Sequence, residues 1–190
     1  MKRRKNTVAG HPTTGEAGWL AGEAGPAVSA MTAALKLLSY RQRTTAEVRK
    51  KLHAAGYAGP DIDGTIGRLI EDRYLDDEAF TRDFITSRVK NRCWGRRKIE
   101  YELGRKGVGA EIIKKALGEL EDSVEVLAAE EALEKWLRKQ GLSVSRPATR
   151  DTAVKAARHL GARGFSFSVI RAVIKNPSAR FTEDEPTAGC

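Results

Sequence analysis

The sequence predicts an all-α protein: an elongated, curved tandem array of three three-helix repeats, nine helices in all, with flexible termini. The first observation is a pattern that occurs three times. A cap-permissive residue is followed twelve positions later by glycine, with leucine four before the glycine and a hydrophobic residue directly after it. The copies are Thr44, Leu52, Gly56-Tyr57, then Gly95, Leu103, Gly107-Val108, then Thr152, Leu160, Gly164-Phe165. Self-similarity at a period of roughly 50 residues signals a small unit stacked in tandem. The second observation is helical spacing of apolar residues between these marks, with few stretches of period-two alternation, so no sheet is expected.

Each copy brackets a three-turn helix. Thr or Gly starts it at the N-cap, and glycine takes the left-handed conformation just past its last turn. In the first copy Thr44-Thr45-Ala46-Glu47 also reads as a capping box. A second helix follows each glycine, with apolar positions Ile62, Ile66, Leu69 and Ile70, then Ile112, Ile113, Ala116, Leu117 and Leu120, then Val169, Ile170, Val173 and Ile174. A further helix precedes each hairpin: about 29–41 with Met31, Leu35 and Leu38, about 77–93 with Phe80, Phe84, Ile85 and Val89, and about 121–140 with Leu127, Leu133, Trp136 and Leu137. The predicted repeats are therefore 28–75, 76–120 and 121–176. A basic tail (1–27) and an acidic tail (177–190) flank them, both too poor in large apolar groups to offset ordering entropy. Trp19-Leu20 is an apolar pair within the first tail.

Lys2 to Lys5 are followed by no apolar run of signal-peptide length, and no stretch approaches a membrane span. A cytoplasmic protein, monomeric and without membrane contact, is expected. Cys93 and Cys190 form neither a disulfide framework nor a Cys-x-x-Cys ligand pair and are expected as reduced thiols.

The net charge is +9, and cations are densest over residues 88–106, a stretch within the second repeat. Arg88, Lys90, Arg92, Arg96, Arg97, Lys98, Arg105 and Lys106 are opposed there only by Glu100 and Glu102. The candidate binding patch is Arg88, Arg92, Arg96, Arg97, Lys98, Arg105 and Lys106, interleaved with Trp94. Such a cluster neutralises phosphates or seats an acidic protein groove, and an indole beside it offers a stacking surface. Arg96, Arg97 and Lys98 open a helix where acids are favoured, a local conflict expected of a working surface. Replacing those three with alanine is expected to weaken binding and leave thermal stability nearly unchanged. Arg88 also borders the core.

A base-reading helix-turn-helix is disfavoured, because the second helix of the first hairpin carries Asp61, Asp63, Glu71 and Asp72. Tyr74-Leu75-Asp76-Asp77-Glu78 reads as a repeat junction: Asp77 as N-cap, Leu75 with Phe80 as a hydrophobic staple, and Tyr74 covering the joint. Three adjacent carboxylates could in principle hold Mg²⁺, but the capping role explains them better. His11, His53 and His159 are scattered, and no nucleophile, base and oxyanion donor converge. No catalytic residue, metal or cofactor is expected.

The chain resembles the RecX family of bacterial recombination regulators. The resemblance rests on Leu38-Ser39-Tyr40-Arg41, Thr45-Ala46-Glu47-Val48, Leu52, Gly56-Tyr57 and Tyr74-Leu75-Asp76-Asp77 with Phe80. It continues through Arg88, Gly95-Arg96-Arg97-Lys98-Ile99, Glu102-Leu103 and Lys106-Gly107-Val108. It covers about 36–120 well and weakens across the third repeat. Thr81 stands where the family usually has alanine, and Arg96 where proline often follows the glycine. The resemblance implies a protein that binds the groove of the RecA filament on single-stranded DNA and modulates its strand exchange, ATP hydrolysis and co-protease activity. Single-stranded and double-stranded DNA are the further partners considered. A nucleic-acid binder acting without RecA is the alternative.

Overall fold

A computed structural model describes residues 28–142 and 149–175. Both tails, Trp19-Leu20 and Cys190 lie outside the described residues, which contain nine α-helices and no strand. The chain divides into two compact units, one ending at Leu75 and the other beginning at Asp76.

The first unit holds α1 (Ala30–Tyr40), α2 (Thr45–Ala54) and α3 (Gly59–Glu71), each packed on the other two. Ser29 caps α1 by accepting the Thr32 amide at 3.2 Å, and Thr44 caps α2 by accepting the Glu47 amide at 3.1 Å. α1 buries Ala30, Ala33, Ala34 and Leu37, while Met31 and Leu38 are partly buried and Leu35 is exposed. The buried face is thus turned from the expected one toward alanine, whose small side chain lets helices approach closely. α3 buries Ile62, Ile66 and Leu69, and Ile70 stays exposed. The Tyr57 hydroxyl donates to the Val28 carbonyl at 2.8 Å, tying the entry of α1 to the turn between α2 and α3.

The second unit holds α4 (Asp77–Arg92), α5 (Arg96–Arg105) and α6 (Ala110–Gly118), then α7 (Asp122–Lys139), α8 (Arg150–Ala162) and α9 (Phe167–Lys175). Each trio packs within itself, and α4 also packs on α7. One continuous apolar core results, running from Phe84, Ile99 and Leu103 to Leu133, Leu160 and Phe165. On α7 the buried face is Ala128, Ala129, Ala132, Leu133 and Leu137, with Leu127 exposed.

The threefold pattern has one geometric cause. Gly56, Gly107 and Gly164 adopt φ of 85°, 78° and 85°. The amide after each glycine returns to the carbonyl of the leucine: Tyr57 to Leu52 at 3.3 Å, Val108 to Leu103 at 3.2 Å and Phe165 to Leu160 at 3.3 Å. Glycine's own amide bonds to the carbonyl three residues back, at 3.0, 2.9 and 2.9 Å. These paired bonds define the Schellman turn, and the leucine and the residue after glycine are the two that meet over it. All six are buried.

Two expected caps shift. α8 is capped by Thr149, whose hydroxyl accepts the Thr152 amide at 3.3 Å, so Thr152 lies inside the helix. Starting three residues earlier puts Asp151 in the first turn, where its charge suits the helix dipole. α4 is capped by Asp76, whose Oδ1 accepts the Ala79 amide at 2.8 Å, which makes Asp77 the first helical residue. Leu75 is buried in the core of the first unit, whereas Phe80 packs against that of the second.

Candidate functional site

The basic face is built on the bend between α4 and α5. Cys93 ends α4 in the left-handed region at φ 49°, and the Trp94 amide returns to the Arg88 carbonyl at 3.2 Å. This reversal lays Trp94 back along the helix it has just left, edge-on to Phe84 with centroids 6.5 Å apart. Phe84 in turn stacks on Phe80 at 6.0 Å. Three aromatic rings thus form a row, and cations top it. The Arg88 guanidinium lies 4.5 Å from the Phe84 centroid and 5.4 Å from Trp94. Lys98 Nζ lies 4.7 Å from Trp94, and Lys106 Nζ lies 5.6 and 5.8 Å from Phe80 and Phe84. Each exposed cation–ring contact stabilises by about 0.5–1 kcal/mol, enough to hold a charge in place without burying it.

The seven cations of the patch have unlike roles. Arg88 is half-buried, with a buried Nε that lacks a hydrogen-bond partner, and its first job is packing. Arg105 is exposed and pairs with Glu102 at 3.5 Å. Arg92 and Arg97 are exposed, Lys98 is half-exposed over Trp94, and none of the three has a carboxylate partner among the described residues.

Arg96 faces inward. Its Nη1 donates to Asp122 Oδ1 at 2.7 Å, its other terminal nitrogen donates to the Leu120 carbonyl, and its Nε lies at ion-pair distance, 3.4 Å, from Glu125 Oε2. That last approach lacks hydrogen-bond alignment. Glu125 is 3% exposed, and its Oε1 also accepts the Arg96 backbone amide at 3.1 Å. The acid that the first turn of α5 lacks in sequence is therefore delivered by α7. The anticipated dipole conflict is resolved inside the fold, and Arg96 braces two trios. Where proline would forgo an amide at this first helical position, arginine's amide finds Glu125. Thr81, the other departure from the family pattern, is fully buried and donates its hydroxyl to the Asp77 carbonyl at 2.6 Å.

α8 completes the support from below. The carbonyls at its C-terminal end accept amides from the start of α5, Gly95 to Arg163 at 2.9 Å and Arg97 to Gly164 at 3.2 Å. Orphan acceptors of one helix end meet orphan donors of another, so the negative end of one helix faces the positive end of the other. Arg163 Nη1 donates to the Arg92 carbonyl at 2.6 Å, and its Nε donates to His159 Nε2 at 3.0 Å. Burial, then the charges of Arg163 and Lys139, hold His159 below its ordinary pKa. Glu125, His159 and Arg163 were not anticipated as contributors, since their sequence distance from the basic run conceals them.

The junction motif straddles the two units: Leu75 ends the first and Asp76 opens the second. Tyr74, expected as a cover, is exposed. Glu78 pairs with Arg82 at 3.5 Å and Lys115 at 3.4 Å, and no group of three acidic, histidine or cysteine side chains able to hold a metal occurs among the described residues. Cys93 is a buried free thiol, its pKa pushed up chiefly by burial. No helix among the described residues is long and apolar enough to cross a membrane.

Comparison with known proteins agrees with this architecture. A family model described as the first three-helix domain of RecX matches residues 30–69, and one described as the second matches residues 76–117. The regulatory protein RecX of Pelodictyon phaeoclathratiforme is 35% identical over 149 residues, which span 78% of this chain and 89% of that protein. The chain belongs to the RecX family. The regulatory protein RecX of Mycobacterium sp. (strain JLS) is 33% identical over 74% of this chain and 76% of its own length. The Geobacillus thermodenitrificans RecX is 32% identical over 82% of this chain, but this chain spans only 56% of that relative. The crystal structure of RecX from Lactobacillus salivarius superposes with a TM-score of 0.69 at 25% identity, covering 78% of this chain and 94% of that one. The all-α fold of tandem three-helix domains is thus a RecX fold, and its family is regulatory.

Proposed function

We propose that this RecX-family chain binds the RecA filament on single-stranded DNA as a cytoplasmic monomer and inhibits its recombinase, ATPase and co-protease activities. The observation that carries this reading is the group Arg92, Arg97 and Lys98, cations without carboxylate partners among the described residues on a rigidly braced bend. Charges left uncompensated beside one another repel, and a partner of opposite sign removes that cost. Three-helix repeats in tandem suit docking along a repeating partner.

The test is titration of the full chain into RecA filaments on single-stranded DNA, following ATP hydrolysis, with naked-DNA binding measured in parallel. Dose-dependent loss of hydrolysis at concentrations where naked DNA stays unbound is the expected result. Unchanged hydrolysis alongside tight, salt-sensitive DNA binding would replace it with a nucleic-acid binder acting without RecA.

A further inference from the structure

We propose that the cleft between the end of α4, the start of α5 and the end of α8 seats a backbone phosphate of single-stranded DNA. This deepens the reading above and rests on it in one respect, that the basic bend is a contact surface. The cleft measures about 410 Å³ and is lined by Asn91, Arg92, Trp94, Lys98, His159 and Arg163. No carboxylate lines it. Its two halves come from the second and third trios, so neither repeat contains the site alone.

Three features favour an anion held by side chains. Arg92 and Lys98 lack carboxylate partners among the described residues. Arg163 is pinned by its bonds to the Arg92 carbonyl and to His159, while its Nη2 has no hydrogen-bond partner among the described residues. A guanidinium fixed in this way presents its remaining donors with little further loss of rotamer freedom. Because His159 Nε2 accepts from Arg163, the neutral ring carries its proton on Nδ1. The first amides of α5 are not available, being bonded to Glu125, Arg163 and Gly164.

The chemistry also separates a nucleic-acid strand from an acidic peptide. A phosphodiester chain carries one charge per residue, and further exposed cations, Arg97 on α5 and Lys90 on α4, lie one or two residues along the chain from the lining residues. The indole of Trp94 in the wall supplies a surface for a neighbouring base once Lys98 turns to the phosphate. A carboxylate side chain makes no use of that ring.

The experiment is fluorescence anisotropy of a labelled oligothymidylate with the full chain, without RecA, across a salt series. Arg92→Gln with Lys98→Gln should lower the magnitude of the log–log salt slope by about 0.7, the value for one lost phosphate contact on a single strand. The same charge removed outside the cleft, Lys114→Gln with Arg171→Gln, should leave the slope near wild type. Lys98→Arg, which keeps the charge, should bind as wild type does and so separates lost contact from damaged fold. Equal losses in the cleft and control variants, or an unchanged slope in the cleft variant, would overturn the assignment. Thymidine monophosphate competing as well as the oligonucleotide at equal phosphate concentration would also overturn it, in favour of a free nucleotide. RecA is absent throughout, so failure here is separate from failure of the filament reading.

Discussion

Gly95 and Gly164 bring the start of α5 and the end of α8 together backbone against backbone. A Cβ placed on Gly95 falls 2.5 Å from the carbonyl carbon and oxygen of Gly164, and one placed on Gly164 falls 2.3 Å from the Lys98 amide nitrogen. The obstacle in each case is backbone, which cannot swing aside as a long side chain can. The glycine that starts the second hairpin and the glycine that ends the third hairpin's first helix therefore hold α5 against α8 at a distance no other residue allows.

Gly95→Ala and Gly164→Ala should each destabilise the second unit by about 2–3 kcal/mol, the upper range for overpacking. Gly56 separates conformation from contact, since it has φ of +85° and nothing within 4 Å of its would-be Cβ. Gly56→Ala should cost only about 1 kcal/mol, the penalty of a left-handed backbone. Urea unfolding followed by circular dichroism measures all three, and equal losses would contradict the close approach.

Arg96→Ala should destabilise by about 1–3 kcal/mol, because it leaves Glu125 buried with only a backbone amide as partner. Arg97→Ala with Lys98→Ala should change stability by less than about 0.5 kcal/mol. Thermal melts of the two variants check the division of the cationic triplet into brace and surface. Equal melting temperatures would refute it.

Gly67 is exposed within α3, and a Cβ there meets nothing within 4 Å. Gly67→Ala should stabilise the first unit by about 0.5–1 kcal/mol through helix propensity. A lower denaturation midpoint would show that α3 needs this glycine.

The lowered pKa of His159 makes part of the stability pH-dependent. Folded below its unfolded value, the ring stays neutral in the native state, so the unfolded chain binds the proton first. The stabilisation is fully present above the ordinary histidine pKa of about 6.5 and is lost as pH falls through the folded value. Protonation also removes the acceptor for Arg163 Nε. His159→Gln should flatten the dependence of melting temperature on pH below about 6.5, and an unchanged profile would place the titration elsewhere.

Sequence reading went furthest where one local rule dictates both residue and geometry. The Leu-x-x-x-Gly-hydrophobic step was legible because a Schellman turn demands glycine at one position and apolar contact at two others. Buried faces were less legible. Alanine carries little hydropathy, so Ala33, Ala34, Ala129 and Ala132 were passed over for Leu35 and Leu127, which point outward. The patch was found as a run of charge, but its inner division was not. Nothing local marks Arg96 as different from Arg97, because the difference lies in Glu125, twenty-nine residues away. The cleft was hidden for the same reason, since His159 and Arg163 reach it only through α8 docking on α5.

The most direct test follows ATP hydrolysis by RecA filaments on single-stranded DNA as the full chain is added, comparing wild type with the Arg92→Ala, Arg97→Ala, Lys98→Ala variant. Loss of three charge contacts at about 1 kcal/mol each should raise the inhibiting concentration by roughly a hundredfold, with the melting temperature held. Inhibition at the wild-type concentration by that variant would contradict the account and move the contact surface off this bend.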